Sequence, residues 1–436
     1  MAELDAALAY LDRHINLEAG RQGGVPAPNL DRMRALVHAL GDPQRNYPVV
    51  HLTGTNGKGS TARMITALLR ASGLAVGTYT SPHLERINER IAWNGEPLDD
   101  LAFAAAVATV AGVEDVAGVQ PTFFEILTAA AYAFFADVAV DVAVSEVGLL
   151  GRWDATNVAD AAVAVVTNVG LDHTEYAGPT KEAIAREKAG IVKPGSWLVL
   201  GETDPALVPI FREAGAAGVW EREVDFACED NLVGLGGRVV TIRTPSSLLE
   251  DVFLPVHGAH QGDNAALAVA AVEAFFDRPV PADVVAEAFD GVTVPGRFEV
   301  VARRPLVVLD GAHNPDGARA AAGTLADDFT VRGDRILVVG MNRGRDPEEM
   351  LTALDADRAG LVVACAPDWA RARPAGEVAA VAEAMGVDAV VAKDVADALR
   401  TALDAAGEDD VVLVTGSLYV VGEARTAWFS GLGPGR

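Results

Sequence analysis

Cysteine is nearly absent from this chain of 436 residues: Cys228 and Cys365 stand alone. Two cysteines so far apart exclude a disulfide framework and a zinc cluster, and they suit a reducing cytoplasm. No run of eighteen apolar residues occurs, which argues against a membrane-spanning helix. The start, MAELDAALAY, has the pattern of an acidic amphipathic helix and not of a signal peptide. Positive charge is scarce as well. Against 61 acidic residues stand 35 basic ones, for a formal charge of −26. Such a field repels nucleic acid phosphates, so no nucleic acid partner is expected. The excess fits solubility or a salt-adapted host. Lysine is the rarest cation: Lys58, Lys181, Lys188, Lys193 and Lys393 are the five, and arginine supplies the other 30. Lysine is a compact charge that can be deprotonated and modified, which guanidinium cannot. Lys58 and Lys188 both fall inside motifs.

What the chain has is apolar mass, 50% of its residues, and length enough for two domains. Its most informative stretch is HLTGTNGKGST, residues 51–61. It follows a buried strand, 48–53, and precedes a helix opening at Lys58. Gly54, Gly57 and Gly59 remove Cβ atoms, so the N–H groups of Thr55, Asn56 and their neighbours can approach an anion, and the helix N-terminus adds its dipole. Lys58 adds a point charge, and Ser60 and Thr61 add hydroxyls within reach of magnesium. The spelling differs from the standard phosphate loop: two residues separate Gly54 from Gly57, and Gly59 stands between Lys58 and Ser60.

Strands separated by helices continue along the chain and predict a mostly parallel α/β sheet, with ligands at the carboxyl ends of its strands. Helices are expected near 3–14 and 29–41, joined by a Gly/Pro-rich loop. The segment SPHLERINERIAWNGEPL, after strand 75–80, is polar and too charged for the core. Residues 218–256 suggest shorter strands. Pro295 and Gly296 break the helical pattern within 292–300, which places a boundary between domains 1–294 and 295–436. The second part alternates five strands with helices, as a smaller, Rossmann-like doubly wound domain.

Polar clusters follow the strand ends. Glu146 closes a strand within the β-branched run 141–148 and precedes Gly148, Gly151, Arg152 and Asp154. His173 shares a loop with Asn168, Asp172, Thr174 and Glu175. Lys188 ends helix 180–190. Asn264 begins a long apolar helix after His257 and His260, either capping it together with Asp263 or facing a base or sugar. Arg297 can reach across a cleft to phosphates. Asp310 can bind ribose or fix Arg297, and His313 can meet a substrate carboxylate or amine.

Nine stretches in order resemble the folylpolyglutamate synthase/dihydrofolate synthase family of the Mur ligase superfamily: HLTGTNGKGST, YTSPHLERINERI, TFFEILTAAAYAFF, SEVGLLGRWDATN, TNVGLDHTEYAG, REKAGIVKPG, HQGDNAALA, PGRFEV and DGAHNPDG, over about residues 48–320. VTGSLYVVGEAR is a weaker match near the end. The resemblance implies a Mur-like ATP-binding domain with a pterin substrate loop, and a C-terminal glutamate ligase domain. It implies a ligase that adds L-glutamate to dihydropteroate or to folates through an acyl phosphate. By resemblance, Lys58 and the loop amides bind ATP phosphates. Ser60 and Glu146 hold one magnesium ion. Glu146 and His173 hold a second with Lys188, carbamylated by carbon dioxide. Ser81, Pro82 and His83 handle the pterin substrate, and Arg152 and Asp154 line the same side. Asn264, Arg297 and Asp310 match nucleotide-binding positions, and His313 lies near the incoming glutamate. One departure is Leu150, where the family usually has glycine, which bears on the acceptor pocket. A cytoplasmic monomer is expected. A Mur-type ligase with another carboxylate acceptor and a non-catalytic nucleotide-binding relative are the alternatives. Lys58, Glu146, His173 and Lys188 weigh against the second.

Overall fold

The computed structural model describes residues 2–18, 29–172 and 174–433. Two large sheets organise it. The first has eight strands: β1 (Val49–Thr53), β2 (Val76–Tyr79), β3 (Ile91–Trp93), β4 (Glu96–Pro97), β5 (Val142–Glu146), β6 (Ala161–Val166), β7 (Trp197–Leu200) and β8 (Gly218–Glu221). Their order is β4-β3-β2-β5-β1-β6-β7-β8, parallel except at the β2-β3-β4 edge. β1 lies at the centre between β5 and β6, with all five residues buried. Successive side chains of a strand point to opposite faces. Accordingly Val50 and Leu52 enter the core under helices Lys58–Ala71 and His260–Phe276, whereas Val49 enters the opposite core with Phe103 and Phe135.

A three-stranded antiparallel sheet follows, β9 (Ala227–Gly234), β10 (Gly237–Arg243) and β11 (Leu248–Leu254), in the order β11-β10-β9. Residues 218–256 therefore divide: the first strand extends the large sheet, and the rest pair among themselves. The second large sheet contains β12 (Glu299–Arg303), β13 (Leu306–Leu309), β14 (Arg335–Val339), β15 (Leu361–Ala364), β16 (Ala389–Val391) and β17 (Val411–Thr415), ordered β12-β13-β17-β14-β15-β16. The five expected strands are parallel. β12 adds an antiparallel edge, hidden in the sequence by Pro295 and Gly296 just before it.

Three expectations need correction. The segment 81–98 is not excluded from the core: Arg90 is 1% exposed and Asn88 4%. Arg90 is tolerated because Glu18 accepts from both of its terminal nitrogens, at 2.9 and 2.5 Å, and because its Nε donates to His83 Nδ1 at 3.0 Å. Burial opposes ionisation of Glu18, yet Arg90 beside it prevails and holds the carboxyl below its usual range. The long helix begins at His260 with Ala259 as a plain N-cap, so Asp263 and Asn264 lie inside it and do not cap it. Helix 180–190 is shorter, Lys181–Lys188, and ends in a tight 3-10 turn, Ala189–Ile191. The loop expected between the first two helices falls on 19–28, outside the described residues.

Glu18→Ala should lower stability by about 3 kcal/mol, because it strands a buried guanidinium. Chemical denaturation measures this, and an unchanged midpoint would mean that the pair is dispensable.

Candidate functional site

The loop after β1 makes the strictest demands on backbone shape. Gly54 has φ +155° and Gly57 φ +85°. A Cβ on Gly54 would lie 1.7 Å from Thr167 Oγ1, and one on Gly57 2.6 Å from Asn264 Oδ1. Residues beyond the end of β6 shape the loop. Thr167 Oγ1 donates to the Asn56 carbonyl at 2.6 Å, and Asn56 N donates to Asn168 Oδ1 at 2.9 Å. The Gly170 amide donates to Thr55 Oγ1 at 2.8 Å. Helix Lys58–Ala71 starts with no side-chain cap, so its first N–H groups remain for an anion. Lys58 Nζ meanwhile donates to the Gly54 and Thr55 carbonyls at 3.1 and 3.3 Å. An anion would be a stronger acceptor for that ammonium. Thr61 Oγ1 donates to Asn264 Oδ1 at 3.4 Å, which ties the loop helix to the long helix.

Glu146 ends β5 beside this loop and is 4% exposed. A Cβ on Gly59 would lie 3.7 Å from its Oε2. Burial raises its pKa; Lys58, the Ser81 amide, Arg297 and Arg63 pull it back. The Ser81 N–H reaches Oε2 at 3.3 Å. A buried carboxylate so short of compensation, with the Ser60 hydroxyl buried on the adjacent helix, fits a divalent cation well. No group of three or more His, Cys, Asp or Glu residues forms a metal site among the described residues, and His173 lies outside them.

Lys188 is 4% exposed. Burial and then the charge of Lys58 hold its amine well below the usual lysine range, against Asp172. Asp172, itself buried, is gripped from the second sheet: Arg345 Nη2 donates to Oδ1 at 2.6 Å, and His313 Nε2 lies 3.8 Å from Oδ2. The His313 Nδ1 sits 3.1 Å from the Gly311 carbonyl, which can only accept, so Nδ1 carries the proton. Burial keeps the ring neutral, lowering its pKa to about 4, and Nε2 is then an acceptor.

Further bridges cross between the sheets. Asn56 and Asn314 exchange amide hydrogen bonds at 3.3 and 3.0 Å. Arg425 bonds Glu85 and, at 3.1 Å, Glu299, and Thr426 Oγ1 donates to Glu85 at 2.9 Å. Arg297 stands among these groups, within electrostatic reach of Glu146, Arg63 and His313. Asp310 accepts from the Phe298 and Ala312 amides at 2.8 and 2.9 Å. It thereby braces the turn that carries Arg297.

The residues expected to handle the acceptor lie on the other flank. Ser81 and Pro82 join through a cis peptide bond, and His83 is tied to Arg90. A cavity of about 420 Å³ opens beside His83, Leu84 and Glu85, with Trp369 and Tyr419 stacked 4.0 Å apart in its wall. Asp154 is consumed locally by the Leu149 amide and by Thr156. Burial raises its pKa to about 6. Arg152 is exposed and bonds the Arg186 carbonyl at 3.1 Å, which anchors the helix of Lys188. Leu150 has φ +62°, a conformation that glycine adopts freely, and its carbonyl accepts from Thr53 Oγ1 at 2.5 Å.

Sequence reasoning missed Arg345 and Arg63. Nothing near Arg345 in the sequence marks it. Arg63 carried a signal, since it lies three residues after Ser60 and so shares its helix face.

The chain matches the Mur ligase middle domain over residues 52–272 and the glutamate ligase domain of Mur ligases over 296–418. These matches define the class. The dihydrofolate synthase/folylpolyglutamate synthase of Mycobacterium tuberculosis is 38% identical, across 92% of this chain and 90% of the relative. The solved structure of Mycobacterium tuberculosis folylpolyglutamate synthase complexed with ADP superimposes with a TM-score of 0.91 at 36% identity, covering 100% of this chain and 99% of that one. The bifunctional folylpolyglutamate synthase/dihydrofolate synthase of Yersinia pestis, complexed with AMPPNP and manganese, gives 0.85 at 31% identity, covering 98% of each. The chain belongs to the dihydrofolate synthase/folylpolyglutamate synthase family.

Gly54→Ala forces Thr167 or the loop to move. Such overpacking costs about 1–3 kcal/mol, enough to weaken binding of an adenine nucleotide about tenfold or more. Titration calorimetry with ADP is the check, and wild-type affinity would contradict the fit described.

Proposed function

We propose that this chain is an ATP-dependent ligase that joins L-glutamate to dihydropteroate, to folates or to both. One observation carries the reading. The glycine loop, buried Glu146 and Lys188 meet at the strand ends of the first sheet, and Arg297 and His313 reach them from the second. The division between the two parts falls at 294/295. Val294 still packs in the first core and Phe298 in the second, which supports that place.

The acceptor carboxylate attacks the γ-phosphorus of ATP; ADP leaves and an acyl phosphate forms. The glutamate amine then attacks the acyl carbon, and phosphate departs with one oxygen of the original carboxylate. Two anions must meet in the first step, so positive charge must be arranged beforehand. Lys58 trades its carbonyl acceptors for phosphate oxygens, and Arg297 approaches from the second sheet. Asn264 and Asp310 shape the nucleotide side, the first against the loop and the second by bracing Arg297. His313 Nε2 offers an acceptor to the incoming amine. Magnesium, when bound, supplies Lewis-acid neutralisation of the phosphates. Ser60 and Glu146 would hold one ion, and Glu146, His173 and modified Lys188 a second.

Carbamylation of Lys188 rests on the same chemistry. Only a neutral amine attacks carbon dioxide; the N–C bond forms, a proton leaves, and an anionic carbamate results. Burial and Lys58 favour that neutral amine. The product anion would be attracted to Lys58, where the ammonium was repelled. The two cysteines are free, in keeping with a cytoplasmic setting. No helix among the described residues is long and apolar enough to cross a membrane.

Phosphate release with ATP and L-glutamate tests the function, using dihydropteroate and tetrahydrofolate as separate acceptors and mass spectrometry of the product. Release that depends on an acceptor and yields a glutamylated product supports the reading; release with neither acceptor sinks it. Lys188→Ala should lower kcat by about 100-fold or more, in the range typical of removing one preorganised electrostatic group. Carbon dioxide depletion should slow the wild type until bicarbonate is restored, and indifference to both changes would remove the carbamate. Glu146→Gln should abolish magnesium-dependent turnover, so wild-type turnover in that variant would remove its metal role.

A further inference from the structure

Arg63 lies one turn into helix Lys58–Ala71, on the face that passes Glu146. Its guanidinium is half-buried, yet it makes no hydrogen bond or ion pair with any described residue. That sets it apart from structural arginines of this fold. Arg90 has Glu18, Arg425 has Glu85 and Glu299, and Arg238 has Asp328. A guanidinium held half out of water with no protein acceptor keeps its five donors ready for an anionic ligand.

The surroundings define that ligand. Glu89 and Glu146 attract Arg63, and Arg297 and Arg425 repel it. Both carboxylates are otherwise engaged. Glu89 accepts from the amides of Leu84, Glu85 and Arg86 at 2.8, 3.0 and 2.8 Å, which fixes the substrate loop, and Glu146 accepts from Ser81 and faces the cradle. Arg63 thus stands between the substrate loop and the phosphate cradle, one helical turn beyond the residues that would hold phosphate. Lys58 and Arg297 serve the phosphate side. A planar guanidinium fork matches a carboxylate in two parallel hydrogen bonds.

We propose that Arg63 binds the carboxylate of the pterin-bearing acceptor, the group that receives the γ-phosphoryl, and aligns it for attack. The proposal rests on the ligase reading above and adds the residue that holds the nucleophile. It also gives the carboxylate a place to wait without being repelled by ATP.

Arg63→Gln and Arg63→Lys test it in the full-length protein. Acceptor affinity is measured by titration calorimetry with dihydropteroate or tetrahydrofolate in the presence of ADP, and KM values for ATP, acceptor and glutamate are measured separately. Arg63→Gln should weaken acceptor binding by about 10- to 100-fold, as for loss of a charge-assisted pair. ATP and glutamate KM should change less than about threefold, within the scatter of an indirect effect. Arg63→Lys should recover part of the acceptor affinity. If Arg63→Gln does not fold, Arg63→Lys decides alone: acceptor affinity must fall while ATP affinity holds. Unchanged acceptor affinity overturns the proposal, and so does equal weakening of ATP and acceptor. Wild-type protein run in parallel separates the two failures. If it ligates no glutamate, the function reading falls and the proposal with it; if it ligates normally and the variants bind acceptor normally, only the proposal falls.

Discussion

A carboxylate buried at the end of a central strand has to find positive charge, and Glu146 sets that constraint here. β5 delivers it beside β1 because the two strands pair in parallel with Leu52 opposite Glu146. The sheet buries it, and burial raises the free energy of its charged form. Lys58, Arg63 and Arg297 lie around it, yet none closes an ion pair with it among the described residues, so burial outweighs their pull. Cations left unpaired in this way suit a site that receives anions. A missing side chain shapes the loop beside it: Gly54 lets Thr167 reach across the turn, where a Cβ would collide with its hydroxyl.

The same constraint explains why the second sheet matters to the first. Many of its contributions are polar: Asn314 to Asn56, Arg345 to Asp172, Asp328 to Arg238, and Arg425 to Glu85. Contacts of this kind release more readily than an apolar core, because water can replace each hydrogen bond. They therefore suit an interface that opens to admit substrates and closes to keep water from an acyl phosphate. Backbone fit adds precision at the segment 81–98, where a Cβ on Gly422 would lie 2.0 Å from the Leu84 carbonyl oxygen. That segment and helix Leu418–Ala427 thus meet without room for a side chain.

Much of this was legible in the chain because the relevant signals are local. The run of β-branched residues before Gly54, the glycines, and the acid after DVAVS each announce a strand end with chemistry on it. Other features depend on partners distant in sequence. The role of Arg90 needs Glu18, 72 residues away, so a charged segment that looked solvent-facing holds a buried ion pair. The pairing of Asp172 with Arg345 spans 173 residues and carries no motif. β12 follows a proline and a glycine, and as an edge strand it pairs in the sheet with β13, its neighbour. Asp310 was expected to touch ribose or Arg297. Its hydrogen bonds to Phe298 and Ala312 depend on a turn with Phe298 at φ +45°, a shape the sequence does not advertise.

The central claim is chemical: positive charge at the strand ends lets a substrate carboxylate attack ATP, and an acyl phosphate results. Oxygen transfer measures that directly. With the acceptor carboxylate labelled with oxygen-18, turnover with ATP and L-glutamate should release phosphate that carries one labelled oxygen, while the other label stays in the new amide. Phosphate free of label, from a reaction that still forms the glutamyl amide, would contradict the account.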